Sequence, residues 1–549
     1  MKTLTQKAPQ AVASLLILTA VTLACLLPFI GKAFHIDDPL FIWCARHIQS
    51  DPFNIYGFNL NWYGQEASMA TVTQNPPLAV YYMALVGSLL GWSEIALHTG
   101  FLLPALAVVL GTYYLGRNFC SQPFWAALAT VAAPVFLLSS TSVMCDTMMM
   151  AFWVWSVFFW MEGFKTGNPA KLCMAVLLIA ACSLTKYFGI SLIPLLLTFS
   201  LLERRRIGRW LACLCLPVLA LAFYQWLTHR LYGHGLMLNA VAYACTPKMR
   251  VGGELPSKLL ASLAFAGGGM VILLTAAPLL WDRKKFTAGI VMAVMVGLLV
   301  LTMKKVGVFP VIDAGNVKWL FVIQISLLAI TGISLVLLVA GDWLRQKTPA
   351  SALLGLWVAG TFVFAFAVNW TVSGRNILPM VPAVCLLLIR RLEARELSGG
   401  WSSPRLLLGP LGVSLLIALL VARADYRLAD SARTAASFMT QKLGVTPNAI
   451  WFEGHWGFQY YMEKLGAKAL DRDDLHLSPN EVIVVPVENS YLFPLPGDQV
   501  APWSEHEFTA SKWLTTMSAG AGYYSDGWGP LPFVFCSVPA EKYLVFRVK

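Results

Sequence analysis

The sequence has 549 residues, 58% of them hydrophobic and only 12% charged, with a net charge of +12. Soluble domains carry about a quarter charged residues, so a soluble globular enzyme is excluded, and continuous rather than alternating apolar runs exclude a transmembrane β-barrel. Nor does the positive balance point to nucleic acid, because many basic residues cluster in short loops between apolar runs, as in the cytoplasmic loops of helical membrane proteins. The eleven cysteines form no CxxC and lie mostly within apolar runs, where they act as small buried apolar residues.

Lys2 and Lys7 precede the first apolar run, Ala11 to Ile30, and set the N-terminus in the cytoplasm. The run has no small-residue cleavage site and is expected to stay as a span. Directly after it stands His35-Ile36-Asp37-Asp38-Pro39. Two carboxylates at a bilayer edge are costly to desolvate and repel each other. The long loop that follows is rich in Asn, Trp and Tyr and ends at Asn75-Pro76-Pro77.

The next apolar run, 76–92, is barely long enough to span, at roughly 17 residues. If it spans, Arg117, Lys165 and Lys171 fall on the wrong side of the membrane. If it lies along the outer interface as a short helix, all three become cytoplasmic and Asp146 moves outside. The arginines of Glu203-Arg204-Arg205-Arg206 must also be cytoplasmic, so 171–202 is expected as two short helices that enter and return. Lys186 then sits at the outer turn, in Leu184-Thr185-Lys186-Tyr187. Beyond this the basic groups Arg283-Lys284-Lys285, Arg345 with Lys347, and Arg390-Arg391 with Arg395 alternate with outer loops at 232–257, 304–318 and 371–375. Lys304 and Lys305 fall outside, as a basic pair against the rule.

After Val421 the composition changes. Ala449–Phe452 and Glu481–Val485 look like buried strands, with a helix expected at 456–465 between them. The expected architecture is a polytopic α-helical membrane protein of about 13 spans with a small C-terminal α/β domain outside the cytoplasm. Residues 1–422 make the membrane domain, with a catalytic outer loop at 31–94, and residues 423–549 the second domain.

The topology brings Asp37, Asp38, Asp146, Lys186 and Arg375 to one face. Acids there can deprotonate a hydroxyl or bind a sugar. Bases there can neutralise a departing phosphate. No nucleotide-sugar domain is evident, so an activated donor has to be held by the membrane. His35, Trp62 and Tyr63 are candidate substrate contacts, the aromatics by stacking on a sugar. Each residue also has a plain structural alternative. Asp37-Asp38 and Asp146 suit helix caps, Lys186 can snorkel to the interface, Arg375 can anchor a helix end, and His35 can serve as a structural hydrogen-bonding group.

The order of these motifs resembles the glycosyltransferase C (GT-C) superfamily: an acidic pair after the first span, Asn75-Pro76-Pro77-Leu78, Asp146, Leu184-Thr185-Lys186, then Gly374-Arg375-Asn376-Ile377-Leu378-Pro379. It is most similar to the family 39 group of protein O-mannosyltransferases and the lipid A aminoarabinose transferase. The resemblance covers about residues 10–420 and implies an inverting transferase that uses a polyprenyl-phosphate-linked sugar. It implies Asp37 as catalytic base, Asp38 and Asp146 as further acids, Lys186 and Arg375 as phosphate-facing bases, and Asn75 at the position before Pro-Pro. The acidic metal ligand of the aminoarabinose enzyme is Gln74 here, so no cofactor is expected and metal binding is left open. The expected partners are a polyprenyl-phosphate sugar, a lipid, glycan or protein acceptor, and the membrane, with the site on the outer face of a bacterial inner membrane. A lipid-linked sugar transporter or flippase, and an oligosaccharide ligase of the same superfamily, are the alternatives.

Overall fold

The computed structural model describes residues 7–205, 208, 210–246, 254–397 and 404–549. Lys2 and Arg206, used above to orient the chain, and residues 247–253 of the outer loop lie outside the described residues. The protein is a polytopic helical membrane protein. Eight helices among the described residues are long and apolar enough to cross a membrane, against the thirteen or so expected. Hydropathy alone merges helices that the backbone breaks. The run 122–140 is two helices, Pro123–Val131 and Pro134–Ser139, divided at a proline that cannot donate to the helical ladder. The run 255–280 is likewise three helices, Leu255–Gly269, Ile272–Thr275 and Ala277–Leu280.

The spanning helices bury only part of their surface. Arg283–Met303 is 11% buried over its apolar window, and Leu298 and Leu299 face outward, as lipid-facing side chains do. Packing between helices uses small residues. A Cβ on Gly267 would meet the Leu328 carbonyl oxygen at 1.9 Å, and one on Gly332 the Leu263 carbonyl oxygen at 2.2 Å. Leu255–Gly269 and Trp319–Gln346 can therefore cross backbone to backbone, the close approach that small residues permit. At the basic end, Arg391 and Arg395 donate to the carbonyls of Leu280 and Leu279, satisfying the free end of Ala277–Leu280.

The composition break at Val421 falls inside one continuous helix, Leu408–Lys442. Beyond it lies a five-stranded sheet in the order Val500–Phe508, Glu541–Val548, Val482–Pro486, Ile450–Phe452, Lys468–Ala469. The first two pairings are antiparallel and the last two parallel. The β-branched run Val482-Ile483-Val484-Val485 makes a mostly buried strand. The helix Trp456–Lys464 connects the parallel strands, as the alternation of patterns predicts.

This C-terminal region is bound into the helical part by a buried hub. Asp425 receives Lys32 Nζ at 2.5 Å, Thr516 Oγ1 at 2.7 Å and the Tyr524 hydroxyl at 2.9 Å. Both members of the Lys32–Asp425 pair are fully buried. A buried pair holds only when its remaining hydrogen-bonding capacity is met. Thr516 and Tyr524 meet it on the acid, and Thr141 Oγ1 stands 3.5 Å from the lysine.

Candidate active site

Ile36 has φ +48°, a left-handed conformation costly for a β-branched residue. That turn separates the two acids that follow. Asp38 folds back and is sealed: one carboxylate oxygen accepts from the His35 N–H at 2.9 Å, the other from the Val143 N–H at 3.1 Å. Burial pushes its pKa up to about 7, against the pull of Lys32 and of the two N–H groups. Asp38 thus pins the first outer loop to the segment before Asp146.

Asp37 faces the other way. It occupies the N-cap position of the helix Asp38–Ile48 but makes no capping bond. Its carboxylate pairs with Arg375 at 2.9 Å, and both side chains remain partly exposed, 29% and 23%. The plain helix-cap alternative does not describe it.

Arg375 stands in the single turn Gly374–Ile377, followed by Leu378–Met380 and the helix Val381–Leu397. Gly374 is required there. Its N–H donates to the Tyr523 carbonyl at 2.8 Å, and a Cβ would strike the Tyr523 ring at 2.2 Å. The guanidinium also lies 2.8 Å from Met144 Sδ and 5.9 Å over the Tyr524 ring, and within electrostatic reach of Asp146.

Asp146 opens the helix Asp146–Thr166, where a negative charge suits the dipole. Lys186 sits in extended conformation between Pro169–Thr185 and the short turn Tyr187–Ser191, the helix interruption expected from the sequence. Its Nζ meets Asp146 Oδ1 at 2.5 Å, with Lys186 23% exposed and Asp146 2%. The other oxygen, Oδ2, is buried and has no hydrogen-bond partner among the described residues. Asp37, Arg375, Asp146 and Lys186 therefore form one cluster of alternating charge, drawn from four separate segments.

The remaining expected contacts divide. Tyr63 stays half-buried, within electrostatic reach of Asp37, with its ring 4.6 Å from Tyr491. Trp62 is corrected: it is 4% exposed, covered by His455 at 4.7 Å and Trp43 at 6.0 Å, and offers no face to a substrate. Asn75 points its amide at Thr73 Oγ1, 3.0 Å away, and its carbonyl accepts from the Tyr56 hydroxyl at 2.6 Å. His35 is buried against the edge of Tyr524, at 5.4 Å. Sequence reasoning missed Tyr243 and Tyr491, which complete an aromatic wall near Asp37, and Tyr524 over Arg375. The glycine-rich setting of Tyr523-Tyr524, in Gly520-Ala521-Gly522-Tyr523-Tyr524, was the available signal. Among the described residues no three His, Cys, Asp or Glu side chains are placed to hold a metal ion.

Residues 74–229 match the family model described as dolichyl-phosphate-mannose-protein mannosyltransferase. That stretch contains Asn75, Asp146 and Lys186, the middle of the motif order. The match spans 156 of the 549 residues. No curated protein matches the sequence. Solved structures similar to this chain include ArnT from Cupriavidus metallidurans bound to undecaprenyl phosphate, at 15% identity over 87% of this chain and 93% of that one, TM-score 0.45. The oligosaccharyltransferase AglB from Archaeoglobus fulgidus, in complex with an inhibitory peptide and a dolichol-phosphate, is similar at 13% identity over 88% and 70%, TM-score 0.48. The arabinofuranosyltransferase AftD from mycobacteria is similar at 12% identity over 97% and 40%, TM-score 0.40.

Proposed function

We propose that the protein transfers a sugar from a polyprenyl-phosphate donor to an acceptor hydroxyl at the outer face of a bacterial inner membrane, with inversion at the anomeric carbon. The observation that carries this reading is the partly exposed Asp37–Arg375 pair beside Asp146–Lys186.

Asp37 takes the proton of the acceptor hydroxyl. The oxygen forms its bond to the anomeric carbon from the face opposite the phosphate. The bond from that carbon to the phosphate oxygen breaks, and the electron pair leaves with the polyprenyl phosphate. Arg375 has five N–H donors in a fixed fork, enough to keep Asp37 oriented and still meet a phosphate oxygen. Lys186 supplies a compact positive charge on the leaving group. Asp146, bound to Lys186 through one oxygen, holds that lysine toward the leaving phosphate. Asp38 acts through position: it fixes the turn that presents Asp37. Tyr63, Tyr243 and Tyr491 supply flat apolar faces beside the base. The thirteen-span topology, the outward placement of the sheet region and a donor of the hexosyl or pentosyl type belong to this reading.

The test is transfer by purified protein from a set of polyprenyl-phosphate sugars to envelope lipid, glycan and protein fractions, followed by mass spectrometry. Donor consumption by the wild type and its loss in Asp37→Asn is the expected result. Asp37→Asn transferring at the wild-type rate overturns Asp37 as the base. Movement of the donor between leaflets without its consumption overturns the transferase reading.

A further inference from the structure

A groove runs between the helix Leu408–Lys442 and the sheet region, and His35 forms part of its wall. His35 is two residues from Asp37 along the chain.

The lining is selective. Trp456 and Trp528 meet at 5.5 Å, edge to face, and both line the groove with Glu488, Glu541, Asn489 and His455. No lysine or arginine is among its described lining residues. The exposed Glu488 carboxylate and the second acid, Glu541, which burial pushes up to about 7, offer phosphate no cation to pair with, so the polyprenyl-phosphate end of a donor does not belong here. The groove asks instead for a ligand that donates hydrogen bonds and has an apolar face, which is the chemistry of a sugar ring. The histidines agree. His35 Nε2 and His455 Nδ1 are buried without hydrogen-bond partners among the described residues, and burial lowers both imidazoles, to about 4 and about 3. Both are neutral at pH 7, so each ring carries one donor and one acceptor nitrogen.

The backbone supplies an independent sign. Trp456 is held at φ +63° and Ser518, also in the lining, at φ +68°. A tryptophan in the left-handed region is strained, and strain of this kind gathers at ligand sites. A row of aromatic contacts then leads back to the base: Trp456 to His455 at 4.8 Å, His455 to Tyr491 at 5.4 Å, Tyr491 to Tyr63 at 4.6 Å.

We propose that this groove is a subsite for a neutral saccharide unit of the acceptor, which makes the acceptor a glycan. Its assignment to the acceptor rests on the transferase reading above; saccharide binding itself does not.

The experiment uses the full chain in detergent, titrated with neutral gluco-, manno- and galacto-configured trisaccharides and followed by tryptophan fluorescence and saturation-transfer NMR. At least one trisaccharide is expected to saturate the wild type. Glu488 is exposed, so Glu488→Gln keeps the fold, and it is expected to weaken binding about tenfold by loss of a charged acceptor. Trp456→Gly, which accepts the positive φ without strain, is expected to weaken it by about tenfold or more through loss of the stacking face. Asp37→Asn is expected to keep saccharide binding while losing transfer, which separates the two ideas. No saturation by any trisaccharide, equal binding by wild type, Glu488→Gln and Trp456→Gly, or quenching by tetramethylammonium in place of every sugar overturns the subsite.

Discussion

Two acid–base clusters lie within a few residues of each other along the first outer loop, and they differ in what completes them. Lys32–Asp425 is fully buried, and Thr516 and Tyr524 take up the remaining capacity of the acid. Asp37–Arg375 and Asp146–Lys186 have the same kinds of charge, yet three of the four side chains keep 23–29% exposure and one Asp146 oxygen lacks a protein partner among the described residues. A sealed network spends its charges on holding two regions together. An open one has charges to spare for something that arrives. The difference separates structure from chemistry where residue type alone cannot, since both sets read as Asp with Lys or Arg.

Substitution of the open cluster should break chemistry and leave the fold. Asp37→Asn is expected to cut transfer by about 10²–10⁴-fold, the usual worth of a positioned general base, with an unchanged melting temperature. Substitution of the sealed cluster should do the reverse. Lys32→Met strands a buried carboxylate and is expected to cost roughly 3–5 kcal/mol of stability, read as a lowered midpoint in thermal or denaturant unfolding. The double variant Lys32→Met/Asp425→Leu is expected to recover most of that loss, because apolar side chains replace a buried pair well. Lys186→Met/Asp146→Leu is expected to fold equally well and to stay inactive. Recovery of transfer in this second double variant would erase the distinction between the clusters.

Asp38 sits between the two clusters and reports on the boundary. Its folded pKa, about 7, lies above the ordinary aspartate value of about 3.9. A raised folded pKa means a contribution that is whole below the unfolded value and is lost as pH rises through the folded one. Asp38→Asn does not ionise, so its stability relative to the wild type is expected to improve between about pH 4 and pH 7 and then level off. Melting temperatures of both proteins across that range check the sign.

The fold was legible where periodicity is strong. The apolar runs, the break at Lys186 and the strand–helix–strand pattern at 450–486 were all visible as sequence patterns. The breaks within the spans were not, because prolines inside an apolar run do not change its mean hydropathy. That Asp37, Asp146, Lys186 and Arg375 come together was legible through the positive-inside pattern, which aligned them on one face before any contact was known. Their pairing was not legible, since Asp37 meets Arg375 across 338 residues of chain. Nor were Tyr243 and Tyr491 near Asp37 and Tyr524 under Arg375, because interface aromatics are common in every membrane protein and only tertiary packing selects these three.

Asn75 tests how far the motif order alone can be pushed. It stands before Pro76-Pro77 at the start of the family match, so motif position marks it as a substrate contact. The structure assigns its side chain a local partner, Thr73 Oγ1, while the tie to the rest of the loop runs through its backbone carbonyl and the Tyr56 hydroxyl. A substitution that keeps the backbone keeps that tie. Asn75→Ala is therefore expected to change kcat/KM by less than about threefold, in the range of substitutions that remove a half-exposed local hydrogen bond. A loss of about tenfold or more, about 1.4 kcal/mol, would mean that the amide leaves Thr73 for the substrate. The open cluster would then extend along the loop to the Pro-Pro corner, and its boundary would have to be drawn from the ligand-bound state.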